Sequence, residues 1–171
     1  MSKAILHEMK ETKKRLLQVI SSFPNEDFNT IPFEGSWTAA QVSDHILKSV
    51  SGILEMLHAT AQPTQRDPEE KAYAIKEIFL DFNTKMKSSE FVLPGNIPAE
   101  KENLSTTLEH TFSKIINDMQ TLDLTKTCTG FQLPGLGEFT RVEWLWFAIY
   151  HTQRHTQQIK KIHESIGTEI R

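Results

Sequence analysis

"AIYHTQRHTQQIKKIH", residues 148–163, sets two histidines four positions apart inside an otherwise apolar helical pattern. Carried back through Val142 and Leu145 and on to Ile166, the pattern predicts one long helix from about Arg141 to about Ile166. With His151 set at zero on a helical wheel, His155 lies about 40° away and roughly 6 Å along the axis. Trp144, Ala148 and Ile162 share that strip, and Val142, Leu145, Ile149 and Ile159 continue the apolar arc to one side. Glu143, Gln153, Arg154, Gln157, Lys161 and Glu164 take the opposite side. Both histidines therefore fall within the apolar arc, towards one edge. They are either core histidines satisfied by hydrogen bonds or half of a metal site, and the pair alone does not decide.

The rest of the chain repeats this helical character. Ile5, Leu6, Met9, Leu16, Leu17 and Ile20 form one stripe that ends before Pro24. A second helix opens at "SWTAAQV" (36–42) and runs to Leu57, before Pro63. Thr38 and Gln41 make a capping box there, with Trp37 and Val42 at the hydrophobic staple positions. "FTRVEW" (139–144) uses the same device, with Thr140 and Glu143 as the box and Phe139 and Trp144 as the staple. Between these, Asp67 and Pro68 open a shorter helix whose face carries Ile75, Phe79, Phe82 and Met86. Leu104, Leu108, Phe112, Ile115, Met119 and Leu122 mark another long one. "FVLPGNIP" (91–98) and the glycine-rich "TCTGFQLPGLGEF" (127–139) read as loops. Four long helices, and a short one between the second and third, predict an all-α four-helix bundle. Nothing alternates convincingly at period two, so no substantial sheet is expected.

Bulk properties narrow the function. The length of 171 residues suits a single domain over 1–171 with a real core. A net charge of −3 gives no basic footprint for nucleic acid. No apolar run is long enough to span a bilayer, and the first residues lack the apolar core of a secretory signal. The lone Cys128 makes no internal disulfide, which fits a cytoplasmic protein. In its loop, with no histidine beside it, Cys128 reads as packing rather than as a nucleophile.

A third histidine joins the pair. On the second helix, Val42, Ile46, Val50, Ile53 and Leu57 form the apolar arc. His45 lies at its margin, on a strip with Ser49, Gly52 and Met56, where small side chains leave room for something else to bind. His7, His58 and His110 fall on polar sides, and His163 drifts away from the strip of His151 and His155. Two imidazoles at i and i+4, with a third from a facing helix, can hold one divalent ion and leave a position open. Three imidazoles with an open position make zinc the first choice, and nickel suits the same donors. The zinc-protease signature H-E-x-x-H fails, because Thr152 follows His151. Arg154 and Gln158 flank the ligands and could orient a carboxylate or a histidine, or sit on a solvated helix face. The polar wheel position of Arg154 favours a solvated role.

"GSWTAAQVSDHILKS" (35–49) and "FTRVEWLWFAIYHTQRHTQQIKKI" (139–162) together resemble the DinB/YfiT-like bundle proteins over nearly the whole chain. The resemblance implies an up-down-down-up four-helix bundle, often dimeric, with a metal triad at His45, His151 and His155. It implies a metal-dependent enzyme acting on a small molecule. Characterised relatives point to an S-transferase using a low-molecular-weight thiol such as bacillithiol. Others point to a hydrolase, and a non-catalytic metal-binding or stress-response bundle is the third reading. A homodimer is expected, since the apolar arc of the last helix is wider than one neighbour needs.

Overall fold

A computed structural model describes residues 3–169. Its long helices are α1 (Lys3–Ser21), α2 (Ala39–His58), α4 (Lys101–Thr121) and α5 (Arg141–Glu169), with the short α3 (Ala72–Leu80) between α2 and α4. Each long helix buries residues three or four apart. On α1 these are Ile5, Met9, Thr12, Leu16 and Ile20, and on α4 they include Leu104, Leu108, Ile115 and Met119. The buried apolar side chains of all five helices merge into one core.

The bundle is wound in the order α1–α4–α2–α5, so helices consecutive in sequence are not always neighbours. Gln153 of α5 bonds Glu8 and Thr12 of α1, and His163 packs on Phe23 just beyond α1, so α1 and α5 run parallel. His58 near the end of α2 meets Asp118 near the end of α4, so that pair is parallel too. Lys101 at the start of α4 reaches the Phe23 carbonyl, which sets α1 and α4 antiparallel. The result is the up-down-down-up four-helix bundle.

Both capping boxes form. Thr38 Oγ1 accepts from the Gln41 N–H while Gln41 Oε1 accepts from the Thr38 N–H. Thr140 and Glu143 exchange the same pair at the start of α5. The staple rings of Phe139 and Trp144 lie 5.0 Å apart.

The chain departs from its sequence-based reading in three places. A three-stranded antiparallel sheet is present, in the order β1 (Ala61–Gln62), β2 (Thr127–Leu133), β3 (Gly137–Thr140). The stretch 127–139 read as loop is its hairpin. Gly135 and Gly137 take φ of +80° and +68°, which residues with a Cβ rarely adopt, so the glycines mark the turn and not an absence of structure. A bulge between Thr127 and Gln132 breaks the alternation that would have betrayed β2. Next, α3 stops at Leu80, which leaves Phe82 and Met86 outside it and 49% and 42% exposed. The Asp81 carboxylate accepts from the Asn83 N–H and the Thr84 hydroxyl, and that local turn competes with a further helical turn. Finally, Glu143 is fully buried although it points away from the apolar arc of its own helix. It receives both guanidinium nitrogens of Arg66, at 2.7 and 2.6 Å, and the N–H groups of Lys71 and Thr140.

Candidate metal centre

α2 and α5 pack antiparallel, and this brings His45 to the level of His151 and His155. His45 and His151 are buried, while His155 is half-buried. The His45 Nε2 lies 3.1 Å from the Nε2 of His151 and 3.1 Å from that of His155. The donor nitrogens of all three residues lie within 4.8 Å of one another. The remaining histidines stay out. His7, His58, His110 and His163 are all exposed.

The outer nitrogens decide what the inner ones can do. His45 Nδ1 lies 2.7 Å from the Val92 carbonyl oxygen, which can only accept. His155 Nδ1 lies 2.8 Å from Gln158 Oε1, also an acceptor. Both rings therefore carry their proton on Nδ1, and both Nε2 lone pairs point inward. The 3.1 Å contact between those two nitrogens is then lone pair against lone pair, which a cation between them would relieve. Nitrogens held about 2.0–2.1 Å from one zinc lie roughly 3.0–3.4 Å apart, so the observed spacing fits a shared ion. His151 Nδ1 is buried without a hydrogen-bond partner. That ring is oriented by packing instead: Phe147 stacks on it at 5.3 Å and 15°, and Phe79 meets it edge-on at 5.9 Å.

Burial keeps all three rings neutral. Desolvation is the largest cause in each case. It lowers the pKa of His45, takes that of His151 well below the usual imidazole value, and with the neighbouring His45 brings that of His155 to about 4. Neutral imidazole is the form that ligates a metal. No carboxylate joins the cluster among the described residues. Asp44 is occupied by Lys48 and the Gly95 N–H, and Glu143 by Arg66.

Two residues outside the triad act on it or beside it, Gln158 in the orienting role the sequence offered and Arg154 in one it did not. Gln158 fixes the tautomer of His155, as its position one turn further along α5 permits. Arg154 is half-buried and not simply solvated: its guanidinium donates to the carbonyls of Phe79 (3.3 Å), Asp81 (2.6 Å) and Thr84. The Val92 carbonyl carried no signal at all, because a backbone acceptor at the end of a single 3-10 turn (Glu90–Val92) leaves no trace in residue type. Ser49 turns its hydroxyl back to the His45 carbonyl, while a Cβ at Gly52 would meet open space. Cys128 is buried with its thiol against the Met56 carbonyl, and burial raises its pKa, so it is a packing residue. An open cleft of about 470 Å³ between Phe33, Ser36 and α5 has Gln158 in its wall, one side chain away from His155.

Comparisons with known proteins agree with this architecture. YfiT from Bacillus subtilis, described as a probable metal-dependent hydrolase with an unusual four-helix bundle topology, superposes with a TM-score of 0.65 at 17% identity, over 98% of this chain and 90% of that one. The four-helix bundle protein TT2238 superposes with a TM-score of 0.59, also at 17% identity, over 92% of this chain and 97% of that one. No curated protein sequence matches. The family model of the DinB superfamily matches residues 8–159, which include all three histidines, and the chain belongs to that superfamily.

Proposed function

We propose that the chain is a metal-dependent enzyme whose single divalent ion is held by His45, His151 and His155. The observation that carries this reading is the convergence of three neutral imidazoles, two of them locked with their Nε2 lone pairs inward. Three protein donors leave a coordination position open, as catalytic sites do and closed structural sites do not. Zinc is the first choice and nickel the second. A bound divalent ion supplies a Lewis acid that lowers the pKa of a thiol or a water in that open position.

Within that frame, transfer of a low-molecular-weight thiol such as bacillithiol to a small electrophile is the preferred chemistry. Thiol activation needs no general base, and the carboxylates nearest the triad in sequence, Asp44 and Glu143, are engaged elsewhere. The protein's part is to hold the ligands neutral and to wall the site with Trp37, Phe79 and Phe147. Hydrolysis is the second reading, supported by the description of YfiT. Metal analysis of purified protein, followed by turnover of a thiol with an electrophile against turnover of ester and amide substrates, separates the two. Thiol-dependent, chelator-sensitive consumption of the electrophile supports transfer. Chelator-sensitive hydrolysis without thiol overturns it in favour of the second reading, and protein that takes up no metal overturns both.

The homodimer proposal has a narrower footing than the sequence suggested. α3 covers part of the wide apolar arc of α5, with Phe79 and Phe147 in edge-to-face contact at 4.8 Å. What remains is the half-buried stacked pair Trp146 and Tyr150. Light scattering showing only monomer at micromolar concentration would refute the dimer. No helix among the described residues is long and apolar enough to cross a membrane.

A further inference from the structure

The segment from residue 81 to residue 100, between α3 and α4, passes over the metal centre without burying a single side chain. It exposes Phe82, Met86, Phe91, Leu93 and Ile97 instead. Its apolar contacts are few, with Ala99 packed against the core and Phe91 edge-on to Phe131 at 5.9 Å, so polar tethers do most to set its position. Asn29 pairs with the Ala99 backbone at the far end and Gln41 reaches the Gly95 carbonyl, but the tethers over the metal centre come from residues beside the three ligands. Arg154, between His151 and His155 in sequence, captures the carbonyls of Phe79, Asp81 and Thr84. Lys48, three residues after His45, donates to the Leu93 carbonyl at 2.8 Å. Asp44, one residue before His45, accepts from the Gly95 N–H at 3.0 Å. The ligand His45 itself donates to the Val92 carbonyl at 2.7 Å.

We propose that this strap is part of the metal centre and that Arg154 and Lys48 are positioning residues for it, acting on His45 through the Val92 carbonyl. The proposal rests on the metal-site reading above and extends it to residues that touch no ion. The physical link is the His45 ring. With the strap in place, Val92 holds the proton on Nδ1 and leaves Nε2 free to ligate. When the strap lifts, that acceptor is lost and the ring turns or changes tautomer. An ion at the triad requires the Nε2 lone pair and so favours the tethered strap. The coupling is reciprocal by necessity: whatever the strap adds to metal affinity, the metal adds to strap order.

The test uses the full chain and zinc alone, with two readouts that need no substrate. Zinc affinity is measured by competition with a chromophoric chelator. Strap order is measured as the rate of chymotryptic cleavage at Phe82, Met86 or Phe91. In the wild type, zinc should slow cleavage in the strap tenfold or more relative to chelator-treated protein. Arg154→Ala should lower zinc affinity by about tenfold or more, within the range for losing an outer-shell partner, and should abolish most of the zinc protection. Arg154→Lys should restore part of both, and Lys48→Ala should act in the same direction more weakly. If Arg154→Ala does not fold, wild-type protein nicked within the strap serves in its place and should show the same loss of affinity. Zinc affinity within twofold of wild type in the variant or nicked protein, or strap cleavage indifferent to zinc, overturns the proposal while leaving the metal site standing. A wild type that binds no zinc overturns the metal-site reading as well.

Discussion

Replacing Gln158 by leucine separates ligand orientation from ligand identity. Gln158 Oε1 accepts the His155 Nδ1–H at 2.8 Å and is the polar partner that fixes this ring. Leucine is close in size but cannot accept. The half-buried Nδ1–H then loses its hydrogen bond, at about 1–2 kcal/mol. The tautomer with the proton on Nε2, which cannot ligate, becomes competitive. Together these effects should weaken zinc binding by about 10–100-fold, or roughly 1.4–2.8 kcal/mol. Gln158→Glu should act the other way, because a carboxylate acceptor makes the imidazole a more basic ligand. Competition with a chromophoric chelator at pH 7.5 reads the affinities, and Gln157→Leu, one position away, serves as the control. Should Gln158→Leu bind zinc within twofold of wild type while melting at the same temperature, the orientation argument fails. The inward lone pair of His155 would then be set by packing alone.

Three further outcomes are expected. His45→Ala, His151→Ala and His155→Ala should each sharply reduce metal content measured by elemental analysis, whereas His58→Ala and His110→Ala, at exposed positions, should leave it at the wild-type level. Burial lowers the imidazole pKa values in the folded state, to about 4 for His155 against an ordinary 6.5, so below pH 6.5 the unfolded chain binds protons first. Metal-free protein should therefore hold its full stability above about pH 6.5 and lose it progressively towards pH 4, and zinc should shift that loss to lower pH; denaturant midpoints against pH that stay flat across this window would contradict the assignment. Arg66→Ala strands the Glu143 carboxylate in a fully buried site, at a cost of about 2–3 kcal/mol, towards the low side for a buried pair because the arginine side chain keeps 23% exposure. For a chain of this size that lowers Tm by roughly 4–12 °C in calorimetry, and a shift under 2 °C would mean the pair adds little.

The bundle and its triad were legible because helical periodicity is a property of a helix taken alone. Ile5 to Ile20, Val42 to Leu57 and Leu104 to Met119 announce their buried faces without reference to anything else in the chain. The capping boxes at Thr38 and Thr140 were legible for the same reason, since each is closed by residues three apart. His45 was found because it shares the margin of such a face. What a helical wheel cannot hold is a segment that comes from elsewhere and lies across the polar side. Glu143 and Arg154 were both assigned to that side, and on their own helix they do point away from the apolar arc. The turn carrying Arg66 and Lys71 covers the first, and the carbonyls at the end of α3 and just beyond it engage the second. Both residues are long, charged and capable of several hydrogen bonds, which is what a helix needs at a position where irregular backbone must be held. A charge that reads as solvated is therefore ambiguous wherever the chain contains a long irregular segment still to be placed. Residues 81–100 are the longest such segment here, and their apolar side chains bury little against the core. A segment of that kind leaves its backbone carbonyls to be satisfied by donors on neighbouring helices. Arg154 and Lys48 are two of those donors, and they stand next to the ligands because the strap crosses the bundle at the level of the three histidines.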